Sequence, residues 1–247
     1  MRTYFFYVVA ISLLAIPTLT VANGSASGIA GSPHDFTDGV VPAGSTVDES
    51  AWNFRGEICR VCHVPHDHNR NEALFTDGLL WDHQVSSETY EMYAESFPSF
   101  IDGAADTEPS GVSKLCLGCH DGTVGLDQYD NQTAGPPVAP FIGDYDGGFQ
   151  VPGAGIANVG TDKNLRGTHP LSIVYDDVAD PGLHNAATTP MGSSGNIEDV
   201  LWNGKVECSS CHDVHDSIGE AVASTHLLRV LNNDTNPSGL CLTCHDK

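Results

Sequence analysis

Eight cysteines constrain this chain more than any other feature, because none of them stands alone. They fall as Cys59-Arg60-Val61-Cys62-His63, Cys116-Leu117-Gly118-Cys119-His120, Cys208-Ser209-Ser210-Cys211-His212 and Cys241-Leu242-Thr243-Cys244-His245. Two cysteines separated by two residues and followed at once by histidine form the attachment pattern of c-type haem. The spacing lets both sulfurs reach the two vinyl groups on one porphyrin edge. The next residue then carries an imidazole under the ring, where it can bind iron as the proximal ligand. A disulfide scaffold, zinc sites or thioredoxin-like redox centres would each explain paired cysteines. None of these requires a histidine after every pair. The expectation is four haem c groups, held by thioethers from all eight cysteines, with His63, His120, His212 and His245 as proximal iron ligands.

Twelve histidines occur, so eight remain for four distal positions: His34, His66, His68, His83, His169, His184, His215 and His226. Past the N-terminal segment only Met92 and Met191 could compete, so bis-histidine ligation is the expected state, and it favours low potentials. An internal repeat narrows the choice. Each half of the chain holds a lone His (His34, then His169), a Cys-x-x-Cys-His-x-x-His (ending in His66, then His215) and a Cys-x-x-Cys-His-Asp. The repeat nominates His34, His66, His169 and His215. On a helical turn a residue three places beyond a proximal His projects from the same side. His66 and His215 are therefore expected to serve an iron other than that of their own motif. His83, in Leu80-Trp81-Asp82-His83, sits beside an aromatic able to cover a porphyrin face and competes with His34. His68, His184 and His226 lack repeat partners and read as structural or solvent-facing.

The composition argues against an ordinary side-chain core. Gly (26) and Pro (14) are plentiful, and the aliphatic runs after the N-terminus are short. Four apolar porphyrin plates would supply the missing core. The expected fold is mostly irregular coil with a few short α-helices and minimal β-structure, wrapped around four covalently bound haems. Helical candidates are 86–97, 197–202 and 218–231, with each haem motif on a helical turn, and 172–175 is a short strand. The Gly/Pro-rich stretch 135–160 reads as loop. Residues 1–22 read as a secretory signal, with Arg2 before an apolar run at 4–16 that Pro17 breaks. Residues 23–247 then form one tetrahaem domain of two tandem dihaem modules, about 31–125 and 165–247. No later segment reads as a membrane span. The formal net charge of -22 excludes a nucleic-acid partner, which needs Lys and Arg to displace counterions. It suits solubility, or a cationic partner such as a basic redox protein. An enzyme would need an iron with an open coordination position, and no motif marks one.

The segments Gly31-Ser32-Pro33-His34-Asp35, Cys62-His63-Val64-Pro65-His66, Leu80-Trp81-Asp82-His83, Leu115–Thr123, Thr168-His169-Pro170, Val206–His215 and the terminal Cys241–Lys247 are similar to tetrahaem cytochromes of the doubled Cys-x-x-Cys-His type. Those include OmcE-like extracellular cytochrome nanowire subunits, and the resemblance runs from about residue 31 to the C-terminus. It implies little secondary structure, bis-His low-spin haems and alternating parallel and T-shaped haem contacts. It also implies an extracellular or cell-surface homopolymer carrying electrons to external acceptors or other redox proteins. In filament members a His of one subunit completes a haem in the next, which by match points to His66. A discrete periplasmic shuttle is the alternative setting.

Overall fold

The computed structural model describes residues 28–30, 34–36, 57–64, 80–96, 102–126, 128–129, 159–215, 227–232 and 236–246. The expected signal at 1–22, the stretch 135–158 expected as loop, His66, His68 and His226 lie outside them. Regular structure is sparse, as the sequence leads one to expect. Four helices, α1 (Tyr93–Ser96), α2 (Gly111–His120), α3 (Cys208–Cys211) and α4 (Gly239–Cys244), join two short strands, β1 (Ile173–Val174) and β2 (Lys205–Val206). Among the described residues no helix is long and apolar enough to cross a membrane.

The strands pair antiparallel, Ile173 opposite Val206 and Val174 opposite Lys205. A tight turn leads into β2 and is written in the sequence: Asn203 and Gly204, between Trp202 and Lys205, have φ of 51° and 75°, the signs a two-residue type I′ turn demands. Trp202 and Lys205 exchange both backbone hydrogen bonds across it, each at 3.0 Å. Val174 N donates to Ala104 O and Asp106 N to Ser172 O, so the first half of the chain supplies a third edge. Lys205 then pairs with Asp106 at 2.6 Å.

Three of the four haem-type motifs sit on α2, α3 and α4. The first makes an isolated helical turn, with His63 N donating to Cys59 O at 2.7 Å. Side-chain cores are small and local. One joins Val61, Leu126 and Tyr129 beneath Cys62 and Cys119, and a second joins Tyr90, Met92, Leu117 and Leu165. The third gathers Met191, Ile197 and Val200 against Cys244.

Several expected elements are corrected. Within 86–97 only Tyr93–Ser96 is helical. The preceding backbone and its cap are committed elsewhere: Ser86 Oγ pairs with Thr123 Oγ1, Tyr90 N donates to Glu108, and Glu91 exchanges hydrogen bonds with Lys163 and Leu165. Over 197–202 a 3₁₀ turn covers Ile197–Val200 and stops before the Asn-Gly hairpin. In 218–231 the described part, from Leu227, is not helical. Leu227 has φ of 56°, and Leu228 forms a β-bridge to His212.

Candidate functional site

The arrangement of the histidines is the principal result. Three proximal rings each face one distal nominee. His34 and His120 have centroids 6.0 Å apart, His63 and His215 6.1 Å, and His169 and His245 6.3 Å. Two imidazoles bound from opposite sides of one metal, each by a nitrogen about 2 Å away, hold their centroids roughly 6 Å apart. Direct imidazole stacking is closer, so these pairs leave room for one ion between them. The residues present therefore fit haem iron. Two opposed imidazoles suit a metal whose remaining positions come from a macrocycle. Among the described residues no three His, Cys, Asp or Glu side chains converge as a zinc cage would require.

Each ligand is positioned by local chemistry. His120 ends α2, and the following Asp121 is tied down by Tyr90 Oη and by Thr123 N at 2.8 Å. His212 and His245 cap α3 and α4, where Cys208 O and Cys241 O accept their backbone N–H groups. Beyond His212 the chain leaves the helix: Asp213 N donates to Leu227 O, and a turn follows in which His215 N donates to Asp213 Oδ1 at 3.2 Å. His215 faces His63, and the two rings stand at 21°. His215 thus lies beside a histidine of another motif, and it is carried there by a turn and not by the helical turn expected. His169 Nδ1 donates to Pro170 O at 3.0 Å, which leaves Nε2 as the nitrogen with a free lone pair. Burial lowers the His34 pKa to about 4, helped by the nearby His120, His212 and His215, so the ring is neutral at physiological pH.

His83 is fully buried, but its ring lies against Cys119 Sγ at 3.6 Å, and its Nδ1 donates to Gln84 O at 2.9 Å. The ring facing His120 is that of His34. Trp81 meets the His63 ring at 5.8 Å and 89°, edge to face. Arg60, inside the first motif, faces the buried Asp82 carboxylate at 3.8 Å. His184 belongs to the fourth motif's scaffold, its N–H donating to Cys244 O. Met92 and Met191 are core residues at 2% and 1% exposure, packed in the Leu117 and Cys244 clusters respectively.

All eight cysteines are free of disulfides. Burial pushes the Cys62 thiol up to about 12, and Cys211 and Cys244 up to about 11. Cys119 is raised further, again by burial. Cys208 is shifted the other way, lowered chiefly by its hydrogen bond with Cys116. Motifs two and three touch: Cys116 hydrogen-bonds Cys208, and Cys208 N donates to Ser113 Oγ at 2.9 Å. Beside them Glu207 is 1% exposed, and Ser110 and Ser172 hydroxyls donate to its carboxylate. Neither a known family model nor a curated protein matches this chain. The functional reading therefore stands on these residues.

Proposed function

We propose that this chain is an electron-transfer protein that carries four haem c groups with bis-histidine ligation, and that it performs no substrate chemistry. The observation that carries the reading is the trio of histidine pairs with centroids 6.0 to 6.3 Å apart, each joining a Cys-x-x-Cys-His imidazole to a second imidazole. Bound haem would supply the ferric/ferrous couple. The chain's own work is attachment through eight cysteines, saturation of both axial positions and exclusion of water by small local cores. Saturated axial positions are what distinguish electron carriers from multihaem reductases, which keep one position open.

The test is to mature the protein with c-type haem and weigh it. Four covalent haems per chain, low-spin ferric resonances and reversible reduction are the expected result. Zinc in place of haem, or four disulfides, sinks the proposal; a resting high-spin haem that turns over nitrite or hydroxylamine moves it to the reductase class.

The proposed setting is outside the cell, with the chain as subunit of a homopolymer and His66 completing a haem in the neighbouring subunit. The family resemblance supports this setting. Negative-stain microscopy of native material tests it: long uniform fibres agree, and small single particles leave a diffusible shuttle instead.

A further inference from the structure

Three of the four motifs share one short backbone bridge. In the first, Val64 N donates to Leu80 O at 2.9 Å and Asp82 N to Cys62 O at 2.8 Å, with His63 opposite Trp81. In the third, Asp213 N donates to Leu227 O at 2.8 Å and Arg229 N to Cys211 O at 2.9 Å, with His212 opposite Leu228. In the fourth, Asp246 N donates to Gly182 O and His184 N to Cys244 O, both at 2.9 Å, with His245 opposite Leu183. Leu80 and Leu227 also share a left-handed backbone, with φ of 51° and 56°. One position is thus defined three times, as the residue whose N–H binds the carbonyl of the motif's second cysteine. It holds Asp82 in the first motif, Arg229 in the third and His184 in the fourth.

The bridge keeps its form while the charge it presents inverts. Asp82 is 0% exposed and faces Arg60 at 3.8 Å. The Arg229 side chain is 17% exposed and lies 4.0 Å from Asp213. Its Nε donates to Ser209 O at 2.7 Å, between the two cysteines of the third motif, and its Nη1 donates to Ser194 Oγ at 3.1 Å. The partner charges do not erase the difference at the cysteines. Burial is the main cause raising Cys62 and Cys211, and neighbouring cysteines add to it. Beyond these, Asp82 raises Cys62 further, whereas Arg229 pulls Cys211 down. Fields of opposite sign therefore reach the second sulfur of the two motifs, through surroundings that screen poorly. The bridge itself uses only backbone atoms and requires no charge at this position, and burying one costs stability.

A ferric centre carries one positive charge more than a ferrous one. A buried anion beside it favours the oxidised form, and a buried cation favours the reduced form. We propose that the bridge position is where this chain sets haem potentials, with Asp82 holding the first motif's haem low and Arg229 holding the third motif's haem high. This rests on the haem reading above and adds to it two residues outside the ligand set. The two motifs are neighbours, since His215, three residues beyond His212, faces His63. A potential difference between them gives electron flow a preferred sense, from the first motif to the third.

The experiment is a spectroelectrochemical titration of the haem-loaded full chain at fixed pH and ionic strength. Asp82→Asn should raise one of the four midpoint potentials, and Arg229→Gln should lower a different one. Each shift should be about 10-fold in the ferric/ferrous equilibrium constant, or about 59 mV. The double variant should show both shifts. Arg229→Lys should stay within about 2-fold of wild type, and Asp102→Asn, at an exposed site, should move none. Unmoved potentials, a shift of the wrong sign, or one potential moved by both variants overturns the proposal. So does an equal shift in Asp102→Asn, or an Arg229→Lys shift as large as that of Arg229→Gln, which marks a packing role. If Asp82→Asn does not mature with four haems, the two Arg229 variants decide the matter. Mass and electron paramagnetic resonance are read first on wild type. Fewer than four low-spin haems there removes the haem reading itself, whereas four low-spin haems with unmoved potentials removes only the tuning role.

Discussion

Replacing His34 by alanine is the sharpest check on the ligand assignment, because the sequence alone leaves His34 and His83 in contest. The two side chains occupy different chemical positions. His34 faces the proximal His120 at 6.0 Å, while His83 lies fully buried against Cys119 and bonds Gln84 O. Loss of His34 should leave one iron of four without its sixth ligand. A quarter of the ferric haem should change from low-spin to high-spin, and added imidazole should restore it. The reduced variant should bind carbon monoxide at that one haem. Loss of His83 should leave all four irons low-spin and act on stability instead. Truncating a fully buried ring of this size leaves a cavity and costs about 2–5 kcal/mol. Low-temperature electron paramagnetic resonance counts the spin states, and denaturant titration reads the stability. If His83→Ala produces the high-spin haem and His34→Ala does not, the pairing argument fails.

Other consequences follow from individual contacts. Gly118→Ala would place a Cβ 2.7 Å from Gln84 O, so the His83-Gln84 segment must shift off α2; an overpacking loss of about 1–3 kcal/mol should appear in denaturant titration. Burial holds the His34 pKa near 4 instead of 6.5, so the folded protein binds fewer protons than the unfolded chain between those values. In haem-free protein, acidification through that window should remove about 3 kcal/mol of stability; a flat profile in wild type matching His34→Ala would contradict it. Glu207 runs the other way. Burial raises its pKa against the lowering effect of the serine hydroxyls, so its contribution is greatest in acid and is lost as pH rises through the folded value. Glu207→Gln should therefore lose less stability than wild type on going from mildly acidic to neutral pH, measured as the difference between the two unfolding curves. His66→Ala should leave one haem per subunit high-spin and abolish fibres; intact fibres would remove His66 from the intersubunit contact.

Much of the site was legible because it is written in fixed short spacings. Cys-x-x-Cys-His binds its meaning to five consecutive residues, and α2, α3 and α4 carry three of those motifs on helical turns as expected. Scarcity of regular structure was also legible, since glycine, proline and short apolar runs cannot sustain long helices or sheets. The expected helix over 86–97 failed for a non-local reason. Ser86, Tyr90 and Glu91 give their polar groups to Thr123, Glu108, Lys163 and Leu165, partners at least 18 residues away. The pairing of distal histidines is non-local in the same sense. His215 reaches His63 across 152 residues of chain, and nothing in either local sequence encodes that. One signal was present but unread: the Asn203-Gly204 hairpin.

The histidine pairs also bear on how the protein is built before any cofactor is attached. Two imidazoles held roughly 6 Å apart gain little from each other, and burying His34 carries a desolvation cost visible in its lowered pKa. The chain nevertheless brings three such pairs together with anchors that do not join the two rings of a pair: the Asp121–Thr123 turn, the Asp213 N to Leu227 O bond and the Pro170 carbonyl that holds the His169 ring. Each anchor fixes backbone on one side of a pair and leaves the gap between the rings unspanned by protein. That is the arrangement expected if ligand geometry is set by the polypeptide and the metal enters a site already framed. Small cores beside the first, second and fourth motifs then hold the frame locally, so loss of one ligand should disturb one haem and leave the others' axial pairs in place.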